Sequence, residues 1–100
     1  RTLWVAIADV AHYIEPETLL DEEAQARATS VYLPHAVLPM LPSRLSDNLC
    51  SLRAKVPRLA MTVSMEIEDD WTIGKVSAFE SIIEVRENLS YDDALDNPRF

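Results

Sequence analysis

The sequence predicts an α+β fold, a mixed sheet flanked by helices, in the order buried strand, helix, proline-rich irregular segment, antiparallel hairpin and helix start. Three observations predict it. A continuous apolar run, Leu3-Trp4-Val5-Ala6-Ile7-Ala8, opens the chain. Leu59, Met61, Val63, Met65 and Ile67 alternate with Ala60, Thr62, Ser64 and Glu66, the period-2 signature of a half-buried strand. Two capping boxes, Thr18-x-x-Asp21 and Ser90-x-x-Asp93, mark helix starts.

The elements follow in order. An uninterrupted apolar run such as residues 3–8 suits a strand buried on both faces. Asp9 stops it, and on pattern alone reads as a hydrogen-bonded turn former, with a site residue as the alternative. Residues 10–14 continue apolar and polar by turns until Glu15-Pro16 breaks them. His12 has no second histidine or cysteine at metal spacing nearby and reads as a packing or hydrogen-bonding residue. Thr18 caps a helix whose first turn carries Asp21, Glu22 and Glu23, favourable at the positive end of the dipole. Leu20, Ala24, Arg27/Ala28 and Val31 extend one apolar stripe along it. The acidic run is thereby explained structurally, not as a metal site.

Pro34 ends that helix and forces Leu33 to be extended. Tyr32 then lies at or just past the last turn, where core packing is the default reading. Residues 35–41 form an extended connector, residues 42–46 one short helical turn, and Ser46-Asp47-Asn48-Leu49-Cys50-Ser51 a defined turn rich in local hydrogen-bonding side chains. Cys50 shows no Cys-His signature and reads as a small buried hydrophobe. After the 59–67 strand, residues 68–71 give a turn and residues 72–86 a second strand. Its alternation slips, which predicts a bulge near Ala78 or two pieces with a bend. Ser90 caps the final helix, with Leu89 placed to staple onto Ala94 and Pro98 limiting its length.

Composition narrows the function classes. One hundred residues make one small domain, and with both ends looking cut the chain reads as residues 1–100 of a longer polypeptide. No apolar run approaches the roughly 20 residues that span a membrane, and no signal peptide is recognisable. One cysteine excludes an internal disulfide and makes a cytoplasmic setting the default. The net charge of −8 argues at first against a polyanion. Its distribution does not. Residues 24–65 hold five basic residues (Arg27, Arg44, Arg53, Lys55, Arg58) and one acidic, so +4; the remainder holds four basic and sixteen acidic, so −12.

Read together, I-A-D-V-A-H-Y at residues 7–13, Y-L-P at 32–34, P-M-L-P at 39–42 and L-S-D-N-L-C-S-L at 45–52 resemble the RNB catalytic domain of the ribonuclease II/ribonuclease R exoribonucleases. The resemblance covers essentially the whole chain, and Leu52-Arg53-Ala54 makes it look closer to the ribonuclease II branch. It implies a monomeric 3′-to-5′ hydrolytic exoribonuclease that threads single-stranded RNA into a channel and releases nucleoside 5′-monophosphates. It also implies Mg2+, held by a D-x-x-x-x-x-D-x-D-D cluster whose place in the family lies before Arg1, and an assisting arginine and glutamate beyond Phe100. Asp92-Asp93-Ala94 echoes the end of that cluster but falls in the wrong order and is already explained as a cap.

No catalytic or metal residue is therefore assigned within the chain, apart from Asp9 as a residue near the metal centre, and this stretch alone is expected to be inactive. Tyr32 matches the family's tyrosine that stacks on a base near the 3′ end, which reverses the core-packing reading. Arg44, Arg53, Lys55 and Arg58 become candidate RNA phosphate contacts. Ala28 departs from the family, which usually has glycine there. A non-catalytic RNA-binding relative is the alternative, and an acidic protein-interaction domain a weaker third.

Overall fold

The computed structural model describes residues 1–96. Its centre is a three-stranded antiparallel sheet in the order β1 (Thr2–Ala8), β4 (Pro57–Ile67), β5 (Ile73–Glu84). The α+β class holds. Both named sheets are antiparallel, and a single parallel bridge joins Ala54 to Val85.

Between β1 and β4 the chain builds four small elements. They are α1 (Val10–Tyr13), α2 (Leu19–Arg27), a hairpin of β2 (Val31–Tyr32) and β3 (Val37–Leu38), and a π-helical turn (Leu45–Leu49). A last helix, α3 (Tyr91–Asp96), follows β5. Pro98, expected to limit that helix, lies outside the described residues.

Register explains which face each strand residue occupies, because directly paired residues of an antiparallel sheet share a face. Ala8, Ala60 and Ser81 share one face, as do Ala6, Thr62 and Phe79, then Trp4, Ser64 and Ser77. Trp4 and Phe79 meet edge to face with ring centres 6.1 Å apart, the geometry aromatic quadrupoles favour. The opposite face carries Leu3, Val5 and Ile7 beside Met65, Val63 and Met61.

Three expectations need correction. β1 is an edge strand, and Leu3, Trp4, Val5 and Ile7 are exposed, so it is not buried on both faces. Its apolar run does reflect apolar residues on both faces; the described residues supply too little helix to cover them. In β4 the small alternating set is the buried one: Ala60 is 0% exposed and Thr62 is buried, while Leu59, Met61, Val63 and Met65 are half-buried. Thr62 Oγ1 lies 2.6 Å from Ser81 Oγ, which itself donates to the Ala60 carbonyl, so the buried hydroxyls are satisfied.

The bulge is not at Ala78, which pairs in register with Val63. It lies where Glu66 alone faces Gly74 and Lys75, between the Met65–Val76 and Ile67–Ile73 pairs. The slip read at Ala78 arises because β5 carries apolar residues on both faces.

The α2 helix also ends earlier than its stripe implied. Ala28 adopts φ 63° and Val31 has moved into β2. Its start matches expectation: Thr18 Oγ1 accepts from Asp21 N at 3.4 Å, and Asp21 Oδ2 accepts from Glu17 N at 2.8 Å. The Ser90 box forms too, with Ser90 Oγ accepting from Asp93 N at 3.1 Å and donating to Asp93 Oδ2 at 2.7 Å.

Candidate functional site

The sheet end formed by the close of β1, the start of β4 and the close of β5 gathers the residues with chemistry. Asp9 N donates to the Leu59 carbonyl at 3.1 Å, which carries the β1–β4 ladder one residue further and leaves Asp9 only 7% exposed. Its carboxylate makes no cap bond to α1. Asp9, His12, Leu59, Glu80, Ser81 and Ile82 line an open cleft of about 320 Å3. The His12 ring sits edge-on to Tyr13, with centres 5.1 Å apart.

The π-helical turn comes to this same end. Pro42 O accepts from both Leu45 N and Ser46 N at 2.9 Å, and Cys50 N closes a wide turn on Leu45 O at 2.7 Å. Burial, and next the Asp9 carboxylate, push the Cys50 thiol above its ordinary range, so Cys50 stays a protonated thiol. Cys50 is half-buried, not buried as its sequence context implied, and the raised pKa makes it a poor nucleophile.

The cations divide by what they hold. Arg58 donates Nε to the carbonyls of Asn48 and Ser51 (3.1 Å each), one terminal nitrogen to Asn48 Oδ1 (2.8 Å) and the other to the Pro57 carbonyl (3.1 Å). Arg53 donates to the Asp47 carbonyl. Arg27 pairs with Glu23 at 2.8 Å and reaches the Pro39 carbonyl at 3.0 Å. Arg44 and Lys55, both exposed, make no side-chain hydrogen bond or ion pair among the described residues.

Tyr32 stands apart from this end. It pairs with Val37 in a hairpin closed by Leu33 N donating to Ala36 O at 2.8 Å, and its side chain is 78% exposed. Core packing is therefore excluded within the described residues. The hairpin base is tied by Met40 N donating to Ser30 Oγ at 2.9 Å and by Arg27 on Pro39. Two prolines and a two-residue ladder gave no periodicity from which to read β2 and β3. The cleft partners of Asp9 were equally unreadable, because Leu59 and Glu80 reach it only through strand register.

Among the described residues no group of three or more His, Cys, Asp or Glu side chains is placed to hold a metal ion. Asp93 is engaged with Ser90. This donor set does not fit the magnesium that the motif resemblance implies.

Residues 1–97 match the family model described as the RNB domain. The chain belongs to the RNB domain family. It is 45% identical over 94 residues to ribonuclease R of Mycoplasmopsis pulmonis, covering 94% of this chain and 13% of that protein. Against ribonuclease R of Escherichia coli it is 45% identical over 89 residues, covering 89% and 11%. Among solved structures it is similar to Mycoplasma genitalium RNase R in complex with double-stranded RNA, with TM-score 0.89, 37% identity, and 94% and 17% of the two chains covered.

It is also similar to yeast Ssd1, described as a pseudonuclease, with TM-score 0.81, 25% identity, and 92% and 11% covered. The RNB chain described here thus spans about an eighth of the curated relatives it matches. The leaning toward the ribonuclease II branch rests on Leu52-Arg53-Ala54 alone, whereas the nuclease relatives named here are ribonuclease R.

Proposed function

We propose that this chain is an internal part of a 3′-to-5′ hydrolytic exoribonuclease that degrades single-stranded RNA to nucleoside 5′-monophosphates, and that it forms channel wall. The observation that carries the reading is the RNB match over residues 1–97 together with relatives named ribonuclease R. The M. genitalium relative was solved with ribose-methylated single-stranded RNA as well as with double-stranded RNA.

Within the wall, Tyr32 is the stacking platform. An exposed ring on a short, proline-limited hairpin offers a flat face to any base, and stacking contributes about 1–3 kcal/mol per base without sequence preference. Arg44 and Lys55 are the phosphate contacts best supported by geometry, since nothing in the described chain competes for them; Arg53 joins them with part of its guanidinium on Asp47. Asp9 lies at the cleft and orders the sheet end. Magnesium is held by residues outside the chain.

The test is hydrolysis by the full-length protein that carries this chain, using 5′-labelled single-stranded RNA with magnesium. Progressive shortening from the 3′ end with release of 5′-mononucleotides is expected, and Tyr32→Ala is expected to change the length of the final product. Binding without hydrolysis would establish the second reading, a non-catalytic RNA-binding relative, which the similarity to a pseudonuclease keeps in play.

A further inference from the structure

Arg58 stands in the basic island that the sequence offers to phosphate, yet its guanidinium is already engaged by the chain itself. Four hydrogen bonds tie it to Asn48, Ser51 and Pro57, at 2.8 to 3.1 Å. The single Nε–H is shared between two carbonyls, so three of the five N–H donors are engaged, and together they hold the planar fork in one orientation on the turn. Three of the four bonds end on residues 48–51, the stretch that carries Cys50, and Asp9 N is bonded to the carbonyl of Leu59, the residue next to Arg58 in β4. Arg58 pairs with Ile83 in the β4–β5 ladder, two residues along from Ala60, the most buried residue of the sheet, so the anchor point is rigid.

We infer that Arg58 is a positioning residue: it locks the 48–51 turn onto the sheet beside Asp9, so that the wall and the cleft keep one geometry, and it does not itself contact RNA. The inference rests on the proposed exoribonuclease reading and deepens it. Removing the guanidinium leaves the carbonyls of Asn48 and Ser51 without their side-chain donor and frees the turn to move. A wall that shifts misplaces the RNA end more than it weakens its capture. Misplacement of about 1 Å can cost on the order of 100-fold in rate.

The experiment uses the full-length protein and measures kcat, RNA Kd and the slope of log K against log salt. For Arg58→Lys, which keeps the charge but not the fork, kcat is expected to fall on the order of 10–100-fold. Kd should stay within about twofold, with the salt slope unchanged, because no phosphate contact is lost. A weaker Kd with a slope shallower by about 0.7, the share of one single-strand phosphate contact, overturns the inference. Unchanged kcat overturns it as well.

Asn48 supplies the second arm should Arg58→Lys fail to fold. Asn48→Ala removes the acceptor at 2.8 Å and should lower kcat, while Asn48→Asp restores an acceptor and should recover it. Equal loss in both variants, or in neither, contradicts the brace. If the wild-type protein binds RNA without cutting it, the enzyme reading fails, and the salt slope alone still decides whether Arg58 touches phosphate.

Discussion

The turn at residues 45–51 and the hairpin at residues 31–38 come from one proline-rich stretch, yet they are held in opposite ways. The turn has Arg58 on it from β4, backbone bonds to Pro42, and a half-buried Cys50. The hairpin has a two-pair ladder, ties only at its base, and a tyrosine almost wholly in solvent. Prolines stiffen both. What separates them is whether a distant strand donates hydrogen bonds to the segment. A channel wall needs both kinds of part, one that keeps its place and one that projects a ring.

Substitutions in the full-length protein sharpen this contrast. Tyr32→Ala should weaken RNA binding most, on the order of 10–100-fold if one stacked base is lost, while thermal unfolding stays unchanged because the ring buries little. Ala60→Leu should do the reverse. It pushes three extra carbons into a site with no exposed surface and should destabilise by about 1–3 kcal/mol in denaturant unfolding. A Tyr32→Ala variant that unfolds as readily as Ala60→Leu would erase the distinction between clamp and scaffold.

A smaller effect concerns acid. The Glu17 backbone N–H, then Gln25, hold the Asp21 carboxyl below its usual range. A carboxyl depressed in the folded state adds stability that is fully present above its ordinary pKa and is lost as pH falls through the depressed value. The α2 cap should therefore loosen below about pH 4, the ordinary range of a free aspartate. The hairpin base, tied to α2 through Arg27 on Pro39, should loosen with it while the sheet does not. Amide exchange at residues 19–38 and 59–65 across pH 3–5 reads this directly, and equal protection loss in both stretches would contradict it.

Local rules made parts of the fold legible in the sequence. The Ser90 box closes as read and the Thr18 hydroxyl takes Asp21 N as read, with the Asp21 carboxylate returning to Glu17 N, because these bonds need only residues three or four apart. The β4–β5 hairpin follows from period-2 alternation. Where two faces compete, the pattern misled. β5 is apolar on both, so a register without a slip at Ala78 looked like one, while the real bulge sits at the chain's only glycine, Gly74. The helix stripe ran on to Val31 because i+11 fits a helix, whereas Ala28 turns the chain with positive φ. Tyr32 was placed by motif resemblance and not by periodicity. The Arg58 brace was invisible, because an arginine written as a surface cation becomes a strut only when Asn48 and Ser51 are folded onto it.

The edge position of β1 has a consequence for synthesis. The β4–β5 hairpin closes over a five-residue turn at residues 68–72, but Ala8 meets Ala60 only after about fifty intervening residues. Closing a loop roughly tenfold longer costs about 2 kcal/mol more in chain entropy, so the hairpin forms first and β1 docks onto it. Translated at about 5–20 residues per second, β1 leaves the ribosome some 3–10 s before the partner it needs. For that interval Leu3, Trp4, Val5 and Ile7 have no ladder, and the Asp9 cleft has no walls.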